Sequence, residues 1–536
     1  MARRAVGPDP ARPALVGVLA AWAFFPVVLL ALHAAATHTT WTGADGLIGA
    51  DGVLGADQLQ YLAWARSIST HGLAADLFTL GRAGHVYLEP ASGVVGGLLA
   101  LGVPLVAGYL LAKAVAVVAL ALAALAWARR FLAGRGAPLA GALLALLLVT
   151  PATALVNWLQ TGSASFRFAV YLAGDELLPA TKLWGYVPAA LGVALVPATL
   201  LALERAVETA PAGVAGSRVR VPLALAAAAA LFAGWLHPWQ GITLAIIILA
   251  LAVVRRRPDE LPALAAVLAA ALIPLAYYGL LSNADPAWRI AAHNEAGSRL
   301  PADVLLACVG PLVAIAALGV RRPGDEIAEQ ALLLWIPAGL VTYFVNDAFA
   351  SHALEGLSLP FAVLAVRAAT RLRLPPAAGW LCAGLLVVPG LAYDARKFVR
   401  TSDSPLIQYA LPHADAAALR WVTRSAPPGG VLAPVPFAAV VPERTGRAVW
   451  VGHGDWSPDY RARSVQARRL FSGRMAPRAA RALVRSSGAR LLVADCAHPA
   501  ALAPVLGPLL QDARHFGCAR VYVLRPLGPR RPRPRR

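Results

Sequence analysis

The chain has 536 residues, of which 58% are hydrophobic and 14% charged, against about 45–50% apolar and about 25% charged in ordinary soluble domains. That composition excludes a single soluble domain, a disordered chain and a small disulfide scaffold. The formal net charge of +20 rests almost wholly on arginine, Lys113, Lys182 and Lys397 being the only lysines; in so apolar a chain this reads as arginine at the cytoplasmic ends of membrane helices, with no nucleic-acid partner.

Apolar runs long enough to cross a membrane predict spans at 14–36, 105–128, 138–159, 184–204, 221–236, 238–254, 260–281, 302–320, 330–346, 351–368 and 376–393, about eleven helices in all. Residues 91–103 are apolar but short and Gly-rich, and read as a re-entrant or interfacial segment. The arginine clusters Arg3/Arg4/Arg12, Arg129/Arg130/Arg135, Arg205/Arg218/Arg220, Arg255–Arg257, Arg321/Arg322 and Arg367/Arg371/Arg373 all fall in alternate loops. The positive-inside rule makes those loops and the N-terminus cytoplasmic, so residues 394–536 emerge on the opposite side. The first run lacks an obvious small-residue cleavage site and reads as an anchor rather than a cleaved signal. Abundant Ala and Arg with few Lys point to a GC-rich bacterial genome, and so to a bacterial plasma membrane.

Residues 402–525 change character. Helices are expected at 415–424, 474–487 and 500–514, and strands at 431–435, 448–451, 491–495 and 521–524, the pattern of a small extracytoplasmic α/β domain. A Pro/Arg-rich tail, 526–536, reads as disordered. Cys308 and Cys382 lie in membrane helices, where a buried thiol is ordinary. Cys496 and Cys518 each border an expected strand; on an oxidising side they would form a disulfide, and two free thiols are the alternative.

The outer loops hold the polar chemistry. In the first, Asp45, Asp51 and Asp57 recur every six residues in Gly-Ala-Asp. Asp45 and Asp51 read as flexible loop. Asp57 opens a helix, where capping and the helix dipole already favour an acid, and it shares a face with Tyr61 and Trp64. Tyr87-Leu88-Glu89-Pro90 then leads back towards the membrane, and Tyr61 and Glu89 are candidates for substrate contact. In the second loop, Asp175 or Glu176 is a candidate for substrate or metal contact, and Lys182 either binds a lipid phosphate or anchors the interface. The turn Trp235-Leu236-His237-Pro238-Trp239-Gln240 reads as an aromatic hairpin whose His237 and Gln240 need a further reason. Arg289 or Arg299 on an outer loop suits a phosphate partner. His352 and Glu355 lie at i, i+3 at the start of a span, where an ionisable pair is a functional candidate and capping the alternative.

One span, a long acidic outer loop with Asp57-Gln-Leu-Gln-Tyr-Leu-Ala-Trp-Ala-Arg66, and Tyr-Leu-Glu-Pro before a short apolar segment together resemble the GT-C superfamily of membrane glycosyltransferases. The resemblance covers the architecture: an α-helical polytopic membrane domain over 1–401 with a large first outer loop, then the α/β domain. It implies transfer of a sugar from a polyprenyl-phosphate donor, with inversion, to a cell-envelope glycan, lipid or protein acceptor outside the membrane. It also implies an acid in the first outer loop, here Asp57, as base or metal ligand. No Asp-x-Asp pair occurs, which leaves dependence on a divalent metal open. A polytopic transporter or lipid flippase is the alternative, although the polar groups gather at one membrane edge rather than mid-membrane and no repeat halves are visible.

Overall fold

The structure is a computed structural model that describes residues 55–81, 84–134, 136–177, 186–209, 217–297, 299–402 and 411–526. The expected first span, Asp45, Asp51, Lys182 and the tail beyond Pro526 lie outside the described residues. Seven described helices are long and apolar enough to cross a membrane: Leu105–Phe131, Val187–Glu208, Pro238–Arg255, Leu261–Ala284, Ala302–Gly319, Ile327–Val345 and Ala350–Arg371, the last taken with its opening 3-10 turn. Shorter apolar helices include Pro90–Ala100, Ala137–Leu147 and Arg220–Leu236. Eleven residues rise about 16 Å, too little to cross about 30 Å of hydrocarbon, so Pro90–Ala100 fits the short segment expected there.

One expected span is broken and another opens irregularly, and the sequence contains the reason for each. Residues 138–159 divide into Ala137–Leu147 and Pro151–Leu159. Pro151 lacks an N–H and pushes the residue before it out of the helical region; Thr150 is accordingly extended and caps the second helix by accepting the Thr153 N–H. Residues 351–368 open as a 3-10 turn, Ala350–Leu354, and become helical only at Ser358–Arg371. Between them Gly356 takes φ +82, a conformation that favours glycine.

The chain divides into two compact units. One contains the described residues of Leu111–Leu280 and Ala296–Asp403. Arginine–carboxylate pairs knit one end of its helices. Arg130 Nε meets Glu204 at 2.7 Å and Arg130 Nη2 meets Glu326 at 2.8 Å, while Arg257 pairs with Asp325 at 2.9 Å and Arg367 Nη1 donates to Glu329 at 2.9 Å. Apolar side chains such as Leu122, Leu249, Leu306 and Phe344 face outward, as a lipid-facing surface requires.

The other unit contains the described residues of Leu29–Leu110, Leu281–Glu295 and Ser404–Arg536. The α/β segment is therefore not separate from the first loop. Val449 N donates to Leu77 O at 2.8 Å, and Ser457 Oγ donates to Phe78 O at 2.9 Å. The sheet has the order β1-β2-β4-β3, with β1 Val431–Leu432, β2 Leu491–Ala494, β3 Leu510–Phe516 and β4 Ala519–Leu524. β1 runs parallel to β2, and the other pairs are antiparallel. Leu470, Phe471, Val484, Leu492 and Tyr522 fill its core.

Two elements expected in this region differ. Residues 448–451 form a single bridge, Val431 to Val449, rather than a strand. Residues 500–514 are not one helix: a short helix, Ala503–Leu506, and a 3-10 turn give way to β3. Gly507, at φ +50, is followed by Pro508, and together they stop the helix. Gly517, at φ +66, turns β3 into β4. Because Ala494 pairs with Arg520, Cys496 and Cys518 lie just past the last rung; they are joined by a disulfide with Cα atoms 4.8 Å apart.

Candidate active site

In the unit built from the first loop and the α/β segment, Asp57 lies in the first turn of Gly55–His71, where unpaired N–H groups and the dipole favour a carboxylate. Its side chain is 20% exposed, and its Oδ1 lies 3.4 Å from Nε2 of the buried His453. On the far side of that ring, the Asp455 N–H donates to Nδ1 at 3.2 Å. In the neutral ring this leaves the proton on Nε2, facing Asp57. Burial works against a charged His453, but the adjacent Asp57 carboxylate and the charges of Asp455 and Asp76 outweigh it and hold the imidazole above its ordinary range. The loop that carries His453 is fixed by Ser457 Oγ, which accepts the N–H of Gly452 at 3.0 Å and of His453 at 3.2 Å. Asn294 Nδ2 donates to the Asp455 carbonyl at 2.7 Å.

Asp76 is a further acid whose charge acts on His453. Its Oδ1 accepts the Phe78 N–H at 2.8 Å, and its Oδ2 is buried without a hydrogen-bond partner among the described residues. Burial pushes its carboxyl up to about 7, against the pull of the Phe78 N–H and His453, with Asp285 adding to the rise. One ligand atom each from Asp57, His453 and Asp455 lie within 4.8 Å of one another, a spacing that a divalent cation can bridge.

The aromatic neighbours form a packed set. Trp64 meets Tyr61, Tyr87 and Trp456 with ring centroids 5.6, 4.7 and 5.4 Å apart, and Trp288 meets Tyr87 and Trp456 at 4.7 and 5.1 Å. Trp64, Tyr87 and Trp456 are buried, so most of this set is core beneath the Asp57 helix. Glu89 is also structural: its two oxygens accept the N–H groups of Ala91 and Ser92 and cap Pro90–Ala100. Arg289 lies exposed on Pro286–Asn294, whose N-terminus Asp285 caps.

In the helical unit a second constellation forms. Glu176 ends Ala164–Leu177, His237 stands just before Pro238–Arg255 without a side-chain capping bond, Gln240 follows in its first turn, and His352 and Glu355 flank the end of the 3-10 turn. His352 Nδ1 lies 2.7 Å from Glu355 Oε1 and 3.2 Å from Glu176 Oε2, and His237 Nε2 lies 3.1 Å from Glu355 Oε2. Gln240 Nε2 donates to the Glu355 carbonyl at 2.8 Å. All five residues are buried. Arg299 donates to the carbonyls of Phe344 and Asn346 at 2.8 and 3.1 Å, closing a helix end. Asp175 lies in the helix beside Glu176.

Sequence reasoning singled out Asp57, Glu176, His237, Gln240, His352 and Glu355 but missed His453, Asp455 and Asp76. The one available signal was His453-Gly454-Asp455-Trp456, a polar Gly-containing run directly after an expected strand.

No protein-family model and no curated protein matches the chain. Solved structures do. The oligosaccharyltransferase of Archaeoglobus fulgidus in its apo form aligns with a TM-score of 0.52 at 14% identity, over 92% of this chain and 71% of that one. The same archaeal enzyme, AglB, in complex with an inhibitory peptide and a dolichol-phosphate aligns with a TM-score of 0.51 at 13% identity, again over 92% and 71%. ArnT from Cupriavidus metallidurans bound to undecaprenyl phosphate aligns with a TM-score of 0.49 at 13% identity, over 94% and 98%. At these identities the likeness to the archaeal enzyme is one of fold: the chain is a polytopic membrane protein with the GT-C fold.

Proposed function

With the GT-C fold as premise, we propose that the protein is a membrane glycosyltransferase that moves a sugar from a polyprenyl-phosphate donor to a cell-envelope acceptor on the extracytoplasmic side. A dolichol-phosphate in the structure of the archaeal oligosaccharyltransferase supports a lipid-phosphate donor. The observation that carries the reading is the placement of Asp57: a partly exposed carboxylate at a helix start, faced by an imidazole nitrogen. In the proposed reaction the acceptor hydroxyl oxygen attacks the anomeric carbon as its proton passes to Asp57, and the bond to the lipid phosphate breaks with inversion. The transition state is oxocarbenium-like, and a positioned base contributes about 10²–10⁴-fold. His453 holds Asp57 in place. If a divalent cation sits among Asp57, His453 and Asp455, those residues would bind it and Asp57 would be a ligand as well as a proton acceptor.

The test is Asp57→Asn in membranes supplied with polyprenyl-phosphate-linked sugars. Asn caps a helix about as well as Asp, so folding should survive while transfer falls by about 10²–10⁴-fold. Near-normal transfer would remove Asp57 from the chemistry. Absence of transfer by the unaltered protein with every lipid-linked donor would favour the transporter reading.

A further inference from the structure

We propose that Glu176, His237, His352 and Glu355 form a binding site for a divalent transition-metal ion, of the zinc class, at one end of the helical unit. Ligand atoms of His237, His352 and Glu355 all lie within 4.8 Å of one another. The individual separations are 2.7, 3.1 and 3.2 Å when Glu176 is included. Four ligands held tetrahedrally at about 2.0–2.1 Å from a zinc ion are about 3.3 Å apart. Small side-chain shifts therefore turn the observed cluster into a coordination sphere. Two imidazoles with two carboxylates suit zinc, manganese or iron rather than magnesium or calcium, which prefer all-oxygen shells.

A hydrogen-bonded ion cluster is the simpler reading, and it accounts for His352, whose Nδ1 faces both Glu176 and Glu355. It does not account for His237. That ring is 3% exposed, and neither of its nitrogens has a hydrogen-bond partner among the described residues. Its Nε2 lies 3.1 Å from Glu355 Oε2 yet is misaligned for a hydrogen bond. Buried ring nitrogens are normally satisfied. A nitrogen and a carboxylate oxygen that are close but not aligned with each other are placed as two ligands of one ion are.

The surroundings hold the donors in place. A Cβ on Gly192 would stand 2.6 Å from His237 Cβ, so only glycine admits the histidine there. The helix break at Gly356 frees the Glu355 carbonyl for Gln240. Ser351 Oγ lies 3.4 Å from Glu176 Oε1. The Phe349 ring stacks on His352 with centroids 5.5 Å apart, and Trp239 meets it edge-on at 4.7 Å. Hydrogen-bonded ligands within an apolar shell are the outer arrangement that metal sites use.

The proposal does not depend on glycosyl transfer, and its readout is bound metal. The full chain, purified in detergent, is stripped with a chelator, reloaded with Zn²⁺ or Co²⁺, freed of excess ion and analysed by elemental mass spectrometry. About one ion per chain is expected, with a Co²⁺ visible spectrum of a nitrogen-ligated low-coordinate site, a zinc-dependent rise in melting temperature and no displacement by millimolar Mg²⁺. His237→Gln and Glu176→Gln should each weaken binding by at least about 10–100-fold, the range already seen for mere outer-shell losses. Asp57→Asn and His453→Gln should retain the ion, which separates this cluster from the one around Asp57. Unaltered protein that takes up no ion and shows no melting shift overturns the proposal without recourse to any variant. So does an ion lost with Asp57 and His453 but kept in His237→Gln.

Discussion

Asp76, like Asp57, interacts electrostatically with His453 but is itself buried, and the contrast predicts a measurable stability effect. Its carboxyl rises from an ordinary 3.8 to about 7, burial being the largest cause. Between those values the folded protein keeps a proton that the unfolded chain has lost. Stability therefore falls as pH rises through this window, and below it the penalty vanishes. Asp76→Asn, which cannot ionise, should flatten that part of the profile. Melting temperatures of the two proteins from pH 4 to 7.5 decide it: parallel curves would mean that Asp76 titrates normally. At this scale the sequence is legible where partners are local. His352 and Glu355 are three residues apart, and their contact at 2.7 Å is an i, i+3 pair. The Asp57–His453 contact spans nearly the whole described chain, and neither residue's type nor spacing announces the other. Glu89 was legible as a polar residue beside Pro90 but not as a cap, because capping and substrate contact call for the same residue in the same place.

The packing of Gly55–His71 on Pro90–Ala100 turns on one of two adjacent glycines. A Cβ on Gly96 would lie 2.6 Å from the Ala65 carbonyl oxygen and 3.1 Å from Ile68 Cβ, whereas Gly97 has nothing within 4 Å. Gly96→Ala should therefore push the two helices apart, at about 1–3 kcal/mol, and disturb the helix that carries Asp57. Gly97→Ala, in an exposed helix position, should stabilise by about 0.5–1 kcal/mol. Thermal unfolding of both variants tests the pair, and equal effects would mean that the helices do not pack as described. Gly-Gly reads the same at both positions in the sequence; only the neighbouring helix distinguishes them. The breaks at Pro151 and at Gly507-Pro508 are a different case. Their signals are in the sequence, but averaged hydropathy carried the expected helices across them. A run of apolar residues reports burial or lipid, not continuity of the backbone.

The positive charge that sets the expected topology is partly neutralised within the fold. Arg130, Arg257 and Arg367 each hold a carboxylate at one end of the helical unit, while the His237–Glu355 cluster lies at helix ends that the alternation of arginines assigns to the other side. The many-helix, membrane-spanning character of the chain was therefore readable from composition along it. The union of the first loop with the α/β segment was not, because contacts such as Ser457 to Phe78 join residues separated by 379 positions. That union carries a topological consequence: the Asp57 loop and the C-terminal segment belong to one compact unit and so must share one side of the membrane. We propose that this side is the extracytoplasmic one, where a Cys496–Cys518 disulfide would persist, whereas the cytosol would reduce it. Intact cells treated with an alkylating reagent before lysis should leave both cysteines unmodified, and reduction followed by alkylation should label both. A reporter that works only in the cytoplasm, fused after the full chain, should be silent. Free thiols at Cys496 and Cys518 together with an active reporter would place the unit inside, and would take Asp57 away from any acceptor on the outer face.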